Sequence, residues 1–314
     1  MHDPNFSFAR RGEVTARRGK QRFDDDEPTT AKRVRGRRSL PPIEVFDATD
    51  GLPEGDRWTT WDQSIPTQRG PKPHPDWLVT ELAAVDTELG ILKTGKEADV
   101  FLIRRAVPQG RSCLLAAKRY RDAGHRMFHR DSGYLEGRRT KESRVNRAVA
   151  GRTAFGRQAI AGQWAHAEFS ALARLYAAGI PVPYPAQILD TELLLEFIGS
   201  ADGTAAPRLA ETRPGPVELA GLWDQLVQAL IALASDGLAH GDLSAYNLLV
   251  HEGRLVMIDL PQVVDVIANP RGAFFLTRDA ENIGRWFAAH GLADVRPEPA
   301  DLPALLRREA LLDP

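Results

Sequence analysis

Apolar and polar positions along this chain change period several times, and each change marks an element. Ala98–Arg105 (ADVFLIRR) and Cys113–Lys118 (CLLAAK) are short apolar runs rich in branched and aliphatic residues. They read as paired strands around the turn residues Pro108–Gly110. Ahead of them, Asp76 to Leu89 reads as a short helix. From Ala159 a helical period sets in, with Ala165, Phe169, Leu172 and Leu175/Tyr176 on one face; Gly179 stops it and Pro181 prevents its return. Glu192–Ile198 (ELLLEFI) reads as a buried strand, and Gly199–Gly203 after it as a hinge. Val217–Asp236 is a second long helix, with Leu219, Leu222, Trp223, Leu226, Leu230 and Leu233 on its apolar side and Gly237 beyond its end. Two short strands follow, around Leu248–His251 and Leu255–Asp259, and a terminal helical segment begins near Asp279. Strands first and helices later, split at Gly199–Gly203, predict an α+β chain with two lobes.

Two stretches break this patterning. Up to residue 75 the sequence holds 9 of its 22 prolines and charge runs such as Asp24–Glu27, with few periodic apolar positions, so little surface is available to offset the entropy of ordering. Arg119–Gln158 is polar and basic with no sustained period, and reads as a long loop, a kind of segment that is usually functional. The expected layout is a mostly disordered basic, proline-rich tail over 1–75, a folded domain over 76–292 divided near 199/200, and a second tail over 293–314.

Composition narrows the class. With 314 residues, 43% of them hydrophobic, the chain can bury a substantial core. A single cysteine, Cys113, excludes a disulfide scaffold and any multi-cysteine metal site. The richest apolar run, Leu226 to Ala234, is short and contains Gln228, which predicts a core helix rather than a membrane span. No secretory apolar region is visible near the N-terminus, and the expectation is a soluble cytoplasmic protein. The formal net charge of −1 conceals segregation: +5 over residues 1–39, −3 over 40–75, +7 over 118–152 and −10 in the remainder. Basic stretches of this kind suit polyanions such as RNA, and equally suit solvated surface.

Three motifs carry candidate chemistry. Gly90-Ile-Leu-Lys-Thr-Gly95-Lys96-Glu97 has the spacing of a P-loop, but Glu97 stands where Ser or Thr must hold Mg²⁺, and a strand pattern follows instead of a helix. It reads as a glycine turn between strands that could fold backbone N–H groups over phosphates. Lys118 ends an apolar strand; alone it would be a surface lysine with its stem laid on the sheet. Glu168, beside the apolar face of the helix after the basic loop, is costly to desolvate without a partner, and a strand lysine paired with a helix glutamate is the phosphate anchor of protein kinases. The third motif is His240-Gly-Asp242-Leu-Ser-Ala-Tyr-Asn247 followed by Val256-Met-Ile-Asp259. Its D-x-x-x-x-N spacing is that of the kinase catalytic loop, and Asp259 closes a strand where a carboxylate can reach a phosphate-bound cation.

Taken together, Thr94-Gly-Lys-Glu-Ala-Asp-Val100, the basic loop after Lys118, Trp164-x-x-x-Glu168, Glu196-Phe-Ile-Gly199, His240-Gly-Asp-Leu-Ser244-x-Tyr-Asn247 and Ile258-Asp-x-Pro-Gln262 resemble the RIO family of atypical protein kinases from about Leu89 to Leu292. The resemblance implies a two-lobed protein-kinase-like fold, with an antiparallel sheet plus helix in the N-lobe and a mainly helical C-lobe. It also implies no standard activation segment; Asp259-Leu260-Pro261 stands in place of Asp-Phe-Gly and no Ala-Pro-Glu follows. It implies Lys118 and Glu168 as the phosphate-anchoring pair, and Thr94, Gly95 and Lys96 over the phosphates. Backbone groups of Glu196, Phe197 and Ile198 would hold adenine, with Asp242 the catalytic aspartate and Asn247 and Asp259 the Mg²⁺ ligands, Mn²⁺ being an alternative ion. The implied function is ATP-dependent serine/threonine phosphorylation or ATP hydrolysis, with autophosphorylation, an aspartyl-phosphate at Asp259, and a part in small ribosomal subunit maturation. RNA or a ribosomal-subunit precursor is the expected partner of the basic loop 119–157 and the tail, beside an unidentified protein substrate. Two alternatives stand against this reading: a small-molecule phosphotransferase of the aminoglycoside or choline kind, and an ATP-gated ribonucleoprotein switch with little turnover. Trp164 and Phe169 are expected to pack in the core, His240 to support the catalytic loop, and His125 and His129 to have no role.

Overall fold

A computed structural model describes residues 55–121, 154–261, 263–295 and 301–312. In chain order its elements are β1 (Arg57–Trp58), β2 (Val85–Thr94), β3 (Ala98–Ala106), β4 (Ser112–Tyr120), α1 (Ala154–Ala177), β5 (Pro185–Leu189), β6 (Glu192–Glu196), α2 (Pro216–Ser235), β7 (Leu238–Ala239), β8 (Leu248–His251), β9 (Arg254–Met257), β10 (Val264–Asp265), α3 (Gly272–Ala289), α4 (Leu292–Val295) and α5 (Leu302–Glu309).

The first lobe is a six-stranded sheet in the order β1-β2-β3-β4-β6-β5, antiparallel at every pairing. The two strands expected around Pro108–Gly110 form the β3–β4 hairpin with Arg105 opposite Cys113. Side chains alternate along β4. Cys113, Leu115 and Ala117 enter a core on one face with Ile103 and Leu194, while Tyr120 belongs to the larger core on the other, where α1 packs through Ala165, Phe169, Leu172 and Leu175. This is the two-sided burial that the apolar run of β4 requires. In the second lobe α2 buries the stripe expected for it, Leu219, Leu222, Trp223, Leu226, Leu230 and Leu233. It is the one described helix long and apolar enough to cross a membrane, and that stripe lies in the core instead. Gly237 follows its end at φ +71°, a left-handed position that glycine takes without strain.

Several expectations change. Asp76–Leu89 is not a helix. Leu78 and Val79 are both buried against the outer face of the sheet with Trp61 and Ala84, in a stretch of turns that leads into β2. Arg111 fastens this stretch by donating to the carbonyls of Asp76 (2.7 Å) and Leu78 (2.9 Å) and to Glu81 (2.8 Å), and β2 then begins at Val85. The tail expected to reach residue 75 therefore contains folded chain: β1 pairs with β2, and the Tyr184 hydroxyl donates to the Pro71 carbonyl (2.9 Å) and meets His74 Nδ1 (2.8 Å). At the other end α5 lies inside the expected tail 293–314, yet it buries Leu302 and Leu306 in the main core. Strand β5 was not foreseen, because three prolines at 181, 183 and 185 argue against a strand; its place at the sheet edge is where a proline is tolerated. α3 starts seven residues before the expected Asp279. Residues 1–54, and 122–153 of the basic loop with His125 and His129, lie outside the described residues.

Beneath the sheet Arg105 is fully buried and bonds Asp86 through Nε (2.7 Å) and Nη2 (3.0 Å), with Arg57 Nη2 a further 3.7 Å away. Truncating one partner of such a pair strands a buried charge. Asp86→Ala is expected to lower stability by about 3–5 kcal/mol, read as a shift in the urea midpoint. An unchanged midpoint would mean that the ion pair does not fasten β2 to β3.

Candidate functional site

The site forms where the sheet meets the strand pair β8–β9, and its centre is one ammonium group. Lys118 lies on β4, on the face opposite Leu115 and Ala117. Its Nζ donates to Glu168 Oε1 of α1 and to Asp259 Oδ1 beyond β9, each at 2.8 Å. Glu168 is 1% exposed and the Lys118 side chain 11%. Burial acts to lower the Lys118 pKa, but the two carboxylates outweigh it and hold the ammonium charged, above the ordinary lysine range. Asp259 is treated in the opposite sense: burial pushes it up, and Lys118, with help from Lys93, brings it down to about 2.

Tyr120, two residues after Lys118 and on the same face of β4, donates its hydroxyl to Glu168 Oε2. Glu168 therefore has a cation on one oxygen and a neutral donor on the other. The buried hydroxyl, facing this carboxylate, is held well above the usual tyrosine range. Sequence reasoning did not find Tyr120. The alternation that places it on the lysine's face is its only signal.

The segment 240–247 is held from below. Asp279 of α3 is buried and accepts from the backbone N–H groups of Gly241 (2.6 Å) and Leu243 (3.2 Å), while Arg278 donates to the Gly241 carbonyl. His240, itself buried, places Nε2 3.2 Å from the Ile258 carbonyl, tying this loop to the end of β9. It thus takes the supporting place expected of it. Asp242 between these anchors opens to solvent. Crowding removes part of its carboxyl's hydration and raises its pKa; Asp279 and Asp259 add to this, and His240 and Arg278 oppose it. Asn247 donates from Nδ2 to the Asp242 carbonyl (2.8 Å), so its oxygen is the group it can offer a cation. Arg278 and Asp279 also escaped the sequence reading, since nothing in an amphipathic helix distinguishes an acid that turns inward to bind backbone donors.

The other expected residues occupy the rim. Thr94, Gly95 and Lys96 form the turn of the β2–β3 hairpin, where Gly95 N–H bonds the Ala98 carbonyl at 3.0 Å; a Cβ at Gly95 would lie 2.7 Å from that oxygen. Arg121 pairs with Asp99 beside the turn. The motif is thus a strand–turn–strand, as the absence of a helical pattern after Glu97 required. Glu196 ends β6; its carboxylate accepts from the Tyr184 N–H (3.0 Å) and its own N–H donates to the Tyr184 carbonyl (2.8 Å), so its side chain and N–H are both engaged with Tyr184. Past it, the Ile198 carbonyl accepts from Ala206 N–H (3.0 Å) across the Gly199–Gly203 turn, so Phe197 and Ile198 lie at the junction of the lobes. Trp164 and Phe169 pack in the core. Gln262 is outside the described residues.

Among the described residues no group of three or more His, Cys, Asp and Glu could hold a metal alone. Asp259 and Asn247 offer two oxygens, a set that suits Mg²⁺, which keeps water and takes its remaining ligands from phosphate. The residues therefore fit a dication bound together with a polyphosphate. Asp259 itself has φ +66°, a left-handed conformation that costs a non-glycine residue about 1–3 kcal/mol and is retained where surroundings impose it.

Comparison with known proteins agrees with this architecture. A family model described as the RIO domain matches residues 115–299. The RIO-type serine/threonine-protein kinase Rio1 of Haloferax volcanii is 34% identical over 208 residues, which cover 66% of this chain and 65% of the relative. Serine/threonine-protein kinase RIO1 of Chaetomium thermophilum is 32% identical over 212 residues, 65% of this chain and 40% of the relative. Human serine/threonine-protein kinase RIO3 is 35% identical over 136 residues, 43% of this chain and 26% of the relative. The chain thus spans less than two thirds of each of these relatives.

If the Tyr120 hydroxyl fixes Glu168, a Tyr120→Phe/Glu168→Gln double-mutant cycle should return a coupling of about 1–2 kcal/mol in denaturation. Purely additive effects would show that the two groups merely meet.

Proposed function

The chain belongs to the RIO domain family, and on that premise we propose that it is an ATP-dependent serine/threonine protein kinase or ATPase of RIO type. The observation that carries this reading is the Lys118 ammonium held at once by Glu168 and Asp259, beside a loop that presents Asp242 and Asn247. Phosphoryl transfer asks a protein mainly to position groups and neutralise charge. Lys118, fixed by Glu168, offers the triphosphate a permanent cation. Glu168 in turn is fixed by Tyr120, so the anchor does not rotate away when phosphate competes for the ammonium.

Asp259 and the Asn247 oxygen are the Mg²⁺ ligands in this reading; bound there, the ion neutralises phosphate charge as it develops. Asp242 orients the attacking hydroxyl or water and accepts its proton. Its raised pKa makes it a better acceptor than an ordinary aspartate, and the anchors from Asp279, Arg278 and His240 keep it in place. The backbone at Glu196, Phe197 and Ile198 receives adenine where the lobes join, and the Thr94–Lys96 turn covers the phosphates. The +7 charge over 118–152 supports RNA or a ribosomal-subunit precursor as partner, and autophosphorylation is the expected default activity without one.

The test uses the full chain with γ-labelled ATP and Mg²⁺. Asp242→Ala is expected to lower both phosphoryl transfer and hydrolysis on the order of 10²–10⁴-fold, while nucleotide binding persists because Lys118, Asn247 and Asp259 remain. Near-normal turnover in that variant would sink the assignment. Turnover confined to aminoglycoside or choline acceptors would move it to small-molecule phosphorylation.

A further inference from the structure

Lys93 is not among the residues that the family motif supplies, yet the sheet places it beside the anchor. β2 and β3 pair Ile91 with Phe101 and then Lys93 with Val100, so Leu92 is an extra residue in β2. Such a bulge re-aims the side chains that follow it. β3 and β4 pair Val100 with Lys118. Lys93, Val100 and Lys118 thus form one row across three strands, and direct cross-strand partners project from the same face. The side chains bear this out: Lys118 Nζ lies 2.8 Å from Asp259 Oδ1, and Lys93 Nζ lies 3.8 Å from Asp259 Oδ2. One carboxylate is shared by two ammonium groups from two different strands.

We propose that Lys93 is a second phosphate-binding lysine, taking the β- and γ-phosphates of the nucleotide from the side opposite Lys118. This rests on the nucleotide reading given above. The charge arithmetic favours it. Once a dication occupies Asp259, both lysines lose that carboxylate as counter-charge. Glu168, already bonded to Lys118 and Tyr120, lies on Lys118's side of the site. The triphosphate is then the negative group that Lys93 can reach. Lys93 remains 39% exposed and Asp259 36%, so both face the open cleft where a ligand enters rather than the closed core. Exposure also sets the scale: the contact is one of several on the phosphates and partly screened.

The experiment measures affinities of AMP, ADP and ATP, with Mg²⁺, by calorimetry on the full chain and on Lys93→Gln and Lys93→Arg. Lys93→Gln is expected to weaken ATP by about five- to tenfold, ADP less, and AMP not at all, with Lys93→Arg restoring most of the loss. Raising salt should narrow the gap between wild type and Lys93→Gln. Equal or tighter ATP binding by Lys93→Gln would overturn the proposal, since Lys93 would then only occupy Asp259 until nucleotide arrives. An equal loss for AMP would also overturn it, because the effect would be structural. Failure of the unaltered chain to bind any of the three nucleotides is a separate outcome: it removes the kinase reading and Lys93's role with it.

Discussion

Everything at the centre of this protein depends on keeping one buried ammonium charged. Lys118 is carried by the sheet, Glu168 by α1 and Asp259 by the end of β9, and the two contacts of 2.8 Å are made between elements far apart in sequence. A lysine this enclosed would be driven toward its neutral form by desolvation alone; two carboxylates reverse that. The converse holds for Glu168, almost without exposure, which needs Lys118 and the Tyr120 hydroxyl to remain buried. Each group is a condition for the others, so the geometry of the three elements and the chemistry of the site are one constraint.

Much of the fold was legible because its elements obey a single period. The stripe of α2 reads as one helix face, the short apolar runs of β3 and β4 around a turn read as a hairpin, and the glycines at 179 and 237 sit at the positive φ their positions imply. What could not be read has a common cause. Residues 59–84 have no period because they do not form one element; they are laid over the outer face of the sheet mostly as turns, held by Trp61, Leu78, Val79 and the Arg111 bonds to backbone carbonyls. Burial of that kind is decided by the surface it covers, and that surface, from Ile103 to Leu194, is distant in sequence. The prolines near β5 misled in the same way, since only the sheet order reveals that the strand is an edge.

The site divides along similar lines. Lys118, Glu168, Asp242, Asn247 and Asp259 could be named because their spacing relative to strands and helices is restrictive. The structure places Lys118 between Glu168 and Asp259, and joins Asn247 to Asp242 through the backbone carbonyl. Tyr120, Arg278, Asp279 and Lys93 could not, because each acts through a partner rather than through a motif. Asp279 matters for the two backbone N–H groups it binds, and any acid on that helix would look the same in sequence. Lys93 is a harder case still: in a regular strand Leu92 would stand opposite Val100 and Lys93 would turn away from the face of Lys118, and only the bulge at Leu92 brings it round.

Asp259 shows why these supporting residues are needed. It adopts a left-handed backbone, is partly desolvated, and stays ionised because Lys118 and Lys93 outweigh burial and bring its pKa down to about 2. The counter-charge beside it offsets the hydration it has lost. Lys118 and Lys93 supply it from the sheet, linking the hairpin of the first lobe to the end of β9 in the second. In the proposed reading, a dication held at Asp259 would take over this role, and the phosphates would then have to satisfy the two ammonium groups. Metal and phosphate binding would then be coupled by charge balance: metal alone would face two ammonium groups across Asp259, and phosphate alone would face the Asp259 carboxylate. The site in this reading favours the metal–nucleotide complex over its separate parts, and the selectivity follows from how two lysines share one carboxylate.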